Sequence, residues 1–241
     1  MNINVVIPMA GAGSRFAKEG FDLPKPFIPV DGRTMIECAV ETLGINGTHH
    51  FIVREEQRDE FDVDGLLHSL CSNCNIIEVD HLTEGPAQSA LLAKPFINNN
   101  SPLIIANCDQ VLDWSWADFI QTMGDADGAI LTYEDDDPKS SYIEVENGVV
   151  TRTAEKEVIS NDATVGIYIF SRGSDFVKYA EQMMQKNIRA KGEFYVSLVY
   201  NEMIQDNKKI VPYDVTDNVW LIGTPRDLQL YQEEMNEAYI V

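Results

Sequence analysis

Short apolar runs alternate along this chain with longer stretches in which apolar residues recur at every third or fourth position. A short run without alternation reads as a buried strand, and the 3.6-residue recurrence reads as a helix. Ile3–Pro8 is the first run. Ile36, Ala39, Val40 and Leu43 then share one face, so Thr34–Leu43 reads as a helix stopped at Gly44. Phe51–Val53 and Ile76–Val79 are further strands, with a mostly polar helical stretch between them from Glu56 to Leu70. Pro86 suits the first turn of a helix. Leu103–Ala106 is a fourth strand, Trp116–Met123 a helix and Ala129–Tyr133 a fifth strand. This alternation predicts a doubly wound, mostly parallel α/β sheet.

The rhythm changes near residue 134. Tyr142–Val145 and Val149–Thr153 flank Glu146-Asn147-Gly148, a hairpin turn signal. Val165–Phe170 reads as a strand, Ser174–Lys186 and Phe194–Gln205 as helices, and Ile210–Tyr213 and Val219–Ile222 as short late strands. Thr224 and Pro225 open a last helix as N-cap and first residue. No repeat or low-complexity linker divides the chain. Its 241 residues, 44% of them hydrophobic, suffice for one large core without disulfides. Residues 1–241 are expected to form a single domain in two halves, about 1–133 and 134–241.

Of the four cysteines (Cys38, Cys71, Cys74 and Cys108), only Cys71 and Cys74 have metal-like spacing, and no second pair completes a zinc site. They read as reduced thiols, in keeping with a cytosolic protein. No apolar run approaches the ~20 residues of a membrane span, and the N-terminus lacks a basic segment ahead of an apolar one. The expectation is a soluble, cytoplasmic protein. Its net charge of −21 repels nucleic acid and anionic membranes, so neither is an expected partner. A homo-oligomer is compatible with the sequence. Within the first 35 residues the balance reverses. Arg15, Lys18, Lys25 and Arg33 face only Glu19, Asp22 and Asp31, which leaves +1 there and −22 for the rest. Asp135-Asp136-Asp137 reads as solvated surface.

That local reversal sits on a loop of small residues. The first strand runs into Met9-Ala10-Gly11-Ala12-Gly13-Ser14-Arg15, and Pro24-Lys25-Pro26 follows ten residues later. Glycines after a strand let a backbone pass close to a ligand. Arg15 and Lys25 make that ligand anionic, and a nucleotide triphosphate fits. The dinucleotide fingerprint needs a third glycine where Phe16 stands, and the P-loop needs a Gly-Lys-Ser/Thr absent from the chain. Asp109 ends the Leu103–Ala106 strand after Asn107 and Cys108. A carboxylate there is either a cap for the next segment or a ligand of a divalent cation, and magnesium is held by one or two carboxylates plus phosphates. Gln88, near a helix start behind Glu84 and Gly85, has both donor and acceptor for a base edge.

The opening loop with Pro24-Lys25-Pro26 resembles the signature of the sugar-1-phosphate nucleotidyltransferases. The resemblance runs from Val5 to about Leu230. It implies a Rossmann-like, doubly wound, mostly parallel mixed sheet of the nucleotidyltransferase (GT-A-like) type, with the nucleotide in the first half and the acceptor in the second. It also implies a Mg²⁺-dependent reaction in which a nucleoside monophosphate passes from an NTP to a phosphorylated small molecule. The product would be a nucleotide-activated sugar of the kind used in polysaccharide biosynthesis. By resemblance Ala10, Gly11, Ala12, Gly13, Ser14, Arg15, Lys25, Glu84, Gly85, Gln88 and Asn107 contact the nucleotide, and Asp109 holds the metal. Arg15, Lys25 and Asp109 carry the chemistry. Glu155-Lys156, Gly166 and Glu193 resemble the family's acceptor-binding segments, and Tyr142 stands about where the family has a glycine beside the sugar.

Two positions depart from the family pattern. Tyr142 is bulky where a glycine is usual. Val219-Trp220-Leu221-Ile222-Gly223-Thr224-Pro225 resembles the family's closing W-x-D-x-G-T-P, but Leu221 replaces its aspartate, usually the second metal ligand. Asp214 or Asp217 is the substitute the sequence offers. These departures keep a cytidylyltransferase for a phospho-alcohol or phospho-amino acid as the alternative reading. A glycosyltransferase would carry D-x-D where Asn107-Cys108-Asp109 stands. A non-catalytic nucleotide-binding module would not need Arg15, Lys25 and Asp109 together.

Overall fold

The computed structural model describes residues 2–238. The chain begins with β1 (Asn4–Pro8), α1 (Ser14–Lys18), a 3-10 turn over Lys25–Phe27, the hairpin β2 (Pro29–Val30) and β3 (Arg33–Thr34), and α2 (Met35–Leu43). Both ends of α2 are fixed by its sequence. Thr34 Oγ1 accepts the Glu37 N–H at 3.4 Å while the Glu37 carboxylate accepts the Thr34 N–H at 2.5 Å. Gly44 closes the helix at φ 65°. Then come β4 (Thr48–Arg54), α3 (Glu55–Glu60), α4 (Val63–Leu70), β5 (Cys74–Val79), α5 (Pro86–Leu91), α6 (Lys94–Ile97), β6 (Leu103–Ala106), β7 (Gln110–Leu112), α7 (Trp116–Met123) and β8 (Gly128–Glu134). The rest is the hairpin β9 (Ser141–Glu146) and β10 (Val149–Glu155), β11 (Asp162–Phe170), α8 (Gly173–Gln185), α9 (Val196–Gln205), β12 (Ile210–Asp214), β13 (Val219–Leu221) and α10 (Pro225–Ala238).

One nine-stranded sheet takes strands from both halves. Within it β5, β4, β1 and β6 lie side by side and parallel. β11 runs antiparallel to β6 on one side and to β8 on the other, and β12 pairs parallel with β8. Alternation along the central strands sends Val5, Ile7, Ile104 and Ala106 into one apolar layer and Val6, Leu103 and Ile105 into the other. After β1 the chain winds outward through β4 and β5, then returns to add β6 on β1's other side. Ligands bind open α/β sheets at such a reversal, beyond the carboxyl ends of the strands. Here that point joins the Pro8–Arg15 loop to Asn107–Asp109.

Three expectations are corrected. The Glu56–Leu70 stretch is two helices, because Phe61 packs on Phe27 at 5.4 Å between ring centroids and Asp62 caps α4 by accepting the Gly65 N–H at 3.1 Å. The helix placed at Phe194 begins at Val196, since Phe194 is bonded to the loop before α5. β4 starts at Thr48, three residues before the Phe51 run, because His49 and His50 are buried in the sheet.

His50 yields a prediction. Its Nε2 lies 3.2 Å from Asn4 Oδ1 and its Nδ1 3.2 Å from Asn75 Nδ2, an arrangement that suits the neutral ring. Burial, with His49 alongside, lowers its pKa to about 4 from an ordinary 6.5. The folded pKa lies below the unfolded one, so the contribution is complete above pH 6.5 and is lost as pH falls from there toward 4. The loss amounts to about 3 kcal/mol. Melting temperature followed across that window should fall less steeply in His50→Gln than in the wild type. Parallel curves would show that His50 is not the group responsible.

Candidate active site

A cleft of ≈ 1030 Å³ opens at the topological reversal. Its floor is the end of β6, where Asp109 follows Asn107 and Cys108. Lys25, in the 3-10 turn after the opening loop, donates to the Asp109 carboxylate and pairs with it. Burial disfavours the ammonium, but the Asp109 charge and the hydrogen bond to it outweigh that, so the Lys25 pKa lies above its ordinary value. Burial pushes the Cys108 thiol up to about 11, which leaves it neutral. The pair is fixed from three sides. Gly13, at φ 58°, caps α1, and a Cβ there would lie 3.3 Å from Lys25 Cβ. β13 pairs with β7, so the Ile222 N–H donates to the Asp109 carbonyl at 2.8 Å. Gly223 then lies close enough that a Cβ would come within 3.0 Å of Asp109 Oδ2. Phe16, Ile28, Val30 and Ile222 form a small apolar cluster that ties the opening loop to the C-terminal segment.

Gly11, Gly13, Ser14, Arg15, Lys25, Asn107 and Asp109 line the cleft from the first half, and Glu155, Lys156, Gly166 and Glu193 from the second. Arg15 is exposed and takes no ion-pair partner among the described residues. Gly11 has nothing within 4 Å of where a Cβ would stand, so the fold itself does not require a glycine there. Gly166 is different. It has φ 90°, breaks the register of β11, and a Cβ on it would sit 2.1 Å from Asn107 Nδ2. The Glu155 carboxylate accepts from Ser141 Oγ and, at 2.9 Å, from Ser197 Oγ, while burial pushes its pKa up.

Most other singled-out residues do not line the cleft. Ala10 is buried in the core and Ala12 is exposed outside the lining. Glu84 pairs with Arg189 at 2.6 Å, and its N–H occupies Gln88 Oε1 at 2.6 Å. Gly85 is a glycine because Phe194 crosses it: at φ 129°, a Cβ would meet the Phe194 backbone at 2.6 Å. Tyr142 is 0% exposed, and its hydroxyl donates to the Asp137 carbonyl at 2.7 Å. The cleft residue of that pair is Ser141. Asp214 and Asp217 are both exposed and off the lining, and Asp214 accepts from Thr216. Leu221 lies on the wall.

The Asp135-Asp136-Asp137 run is also corrected, because Asp135 and Asp137 line the cleft. Asp135 accepts from Tyr133 OH at 2.8 Å, Ser140 Oγ at 2.7 Å, and the N–H groups of Asp136 and Asp137 at 2.9 and 3.2 Å. Burial works against the charge, but these donors hold the carboxyl below its usual range. It organises the rim. An Asp followed by Asp-Asp-Pro in a loop is Asx-turn chemistry, and that was the available signal. Asp227, in the first turn of α10, is a further wall carboxylate beside Arg226 that the sequence reading did not single out. Among the described residues no three His, Cys, Asp or Glu side chains form a metal cluster, and no helix is long and apolar enough to cross a membrane.

The fold resembles the crystal structure of the nucleoside-diphosphate-sugar pyrophosphorylase from Vibrio cholerae RC9, with a TM-score of 0.84 and 26% identity over 95% of this chain and 99% of that one. It also resembles the inositol-1-phosphate CTP transferase from T. maritima, with a TM-score of 0.75 and 16% identity over 95% and 93% of the two chains. In sequence, the mannose-1-phosphate guanylyltransferase catalytic subunit beta of Dictyostelium discoideum is 25% identical over 180 residues, 70% of this chain and 50% of that protein. The chain thus spans about half the length of that curated relative. A family model, that of the nucleotidyl transferases, matches residues 4–237, and the chain belongs to that family.

Proposed function

We propose that the protein transfers a nucleoside monophosphate from an NTP to a phosphorylated small-molecule acceptor, a sugar 1-phosphate, and releases pyrophosphate. The observation that carries this reading is the Lys25–Asp109 pair at the reversal point, facing an opening loop whose Gly11 leaves its Cβ space empty. The cleft volume of ≈ 1030 Å³ suits two substrates side by side. Hydroxyls and carboxylates line the second-half wall, among them Ser141, Glu155, Tyr168 and Glu193. That lining suits a polyhydroxylated acceptor, and the burial of Tyr142 removes one reason to look beyond sugars.

The residues present also suit magnesium. Asp109 is a cleft carboxylate just past the end of β6, beside Lys25, and Mg²⁺ binds through one or two carboxylates, substrate phosphates and water rather than a full protein cage. Asp109 would hold the ion, whose charge would offset that of the triphosphate. The acceptor needs no strong base, because a phosphate monoester with a second pKa near ~6 is already largely dianionic at neutral pH. Positioning and charge neutralisation then account for most of the catalysis. Arg15 stabilises the leaving pyrophosphate, Lys25 bridges phosphates at the reacting centre, and Lys156 orients the acceptor phosphate.

Pyrophosphate release, with the common NTPs crossed against sugar 1-phosphates and phosphocholine-like monoesters, tests the reading. Turnover with a sugar 1-phosphate supports it, and turnover with non-sugar monoesters alone overturns the sugar assignment. Gly11→Ala refines the test. It should melt with the wild type, since its methyl meets nothing, yet raise the KM for NTP by ~10-fold or more where the triphosphate fills that space. An unchanged KM would move the nucleotide off the loop.

A further inference from the structure

Lys156 follows β10 and has φ 57°, in the left-handed region that a side chain rarely adopts. Its N–H donates to the Ser140 carbonyl at 3.0 Å, which anchors the backbone at the cleft rim. Such conformations persist where surroundings over-determine them, and they cluster at functional sites. The side chain has no ion-pair partner among the described residues. Instead its ammonium donates to the Tyr195 hydroxyl and lies 4.6 Å from the centroid of the Tyr195 ring. Both residues line the cleft.

Tyr195 is itself held. The preceding Phe194 donates its N–H to the Glu84 carbonyl at 2.8 Å and accepts the Ala87 N–H at 3.0 Å. The Arg189 guanidinium lies 3.8 Å over the Phe194 ring. Burial and a hydrogen bond to Glu193 push the Tyr195 pKa up, so its oxygen stays a neutral acceptor for Lys156. A lysine on a four-carbon stem normally loses rotamer freedom when it meets a phosphate. Here that freedom is restricted before any acceptor arrives.

We propose that Tyr195 is a positioning residue that holds the Lys156 ammonium, by hydrogen bond and ring face, where it meets the acceptor's phosphate. The proposal rests on the nucleotidyl-transfer reading of the same cleft. Steady-state kinetics with an acceptor that the wild type uses should show the KM for that acceptor raised about 10-fold in Tyr195→Leu and about 3-fold in Tyr195→Phe, which keeps the ring. The KM for NTP and the melting temperature should not change. Lys156→Ala combined with Tyr195→Leu should lose no more than Lys156→Ala alone. Equal rises in both KM values, or additive losses in the double variant, overturn the proposal.

A second readout needs no turnover. In ¹³C-lysine spectra of the full chain, the Lys156 signal, assigned with Lys156→Arg, should carry a ring-current shift that Tyr195→Leu abolishes. Titration with inorganic phosphate should show about 10-fold weaker binding in that variant. An unshifted signal, or equal phosphate affinity, overturns the proposal. Both effects present in a wild type that turns over no acceptor would support the positioning and count against the activity reading alone.

Discussion

Lys25→Ala is expected to lower the turnover of nucleotidyl transfer by about 10²-fold or more, the scale of losing one preorganised donor to developing charge. The reason lies in what surrounds the ammonium. Lys25 is 21% exposed and Asp109 18%, so water screens the pair only in part, and the Ile222 N–H bond to the Asp109 carbonyl holds the backbone beneath it. An approaching triphosphate therefore meets a cation already in place. The substitution also leaves the Asp109 carboxylate half-desolvated without its partner. Breaking a buried pair costs about 3–5 kcal/mol, and the remaining exposure places this one at the lower end. Melting curves run beside the kinetics separate the two effects. A folded variant with wild-type turnover would remove Lys25 from the mechanism.

Gly166→Ala is the second large effect. Its Cβ would sit 2.1 Å from Asn107 Nδ2 and 2.8 Å from Asn107 Cγ, and the residue has φ 90°. Asn107 keeps its backbone bond to the Gly166 carbonyl at 3.1 Å, but its exposed side chain can turn aside, so the new methyl displaces the amide rather than the strand. Backbone strain of about 1–3 kcal/mol is the main cost, and moving the Asn107 amide adds a smaller loss of stability. A chain of this size should then melt about 2–12 °C lower. Displacing Asn107 by ~1 Å should also lower catalytic efficiency about 10²-fold. Gly148→Ala is the control: it has φ 77° but nothing within 4 Å, so it carries the strain without the contact. Equal losses in the two variants would show that the Asn107 contact contributes nothing.

The parts of the fold legible in the sequence are those whose cause is local. Val5–Ile7 in β1 and Leu103–Ala106 in β6 are unbroken apolar runs because both their faces are buried. α2 carries its stop and start signals in Thr34, Glu37 and Gly44, and α7 has the bounds its periodicity predicts. The opening loop was legible as a wall of the cleft because glycines after a strand, beside Arg15 and Lys25, point to a ligand site in the local sequence. What escaped depends on distant partners. The β7–β13 pairing is three residues long and joins positions over a hundred residues apart, so no window contains it. His49 and His50 look polar until Asn4 and Asn75 are brought beside His50. Asp135 is the exception, since its partners Tyr133 and Ser140 are local and the Asx-turn pattern was there to be read. Gly85 and Gly166 read as close to substrates, and the atoms their missing Cβ would meet in the fold belong to Phe194 and Asn107, which no local window shows.

The most direct test follows one phosphorus atom. The protein is incubated with Mg²⁺, an acceptor monoester and an NTP labelled at the α-phosphate, and the products are separated. If the acceptor's phosphate attacks the α-phosphorus, the label appears joined to the acceptor, and an equal amount of unlabelled pyrophosphate is released. Label found only in free nucleoside mono- or diphosphate, or left in intact NTP across a full panel of acceptors despite NTP binding, would contradict the account.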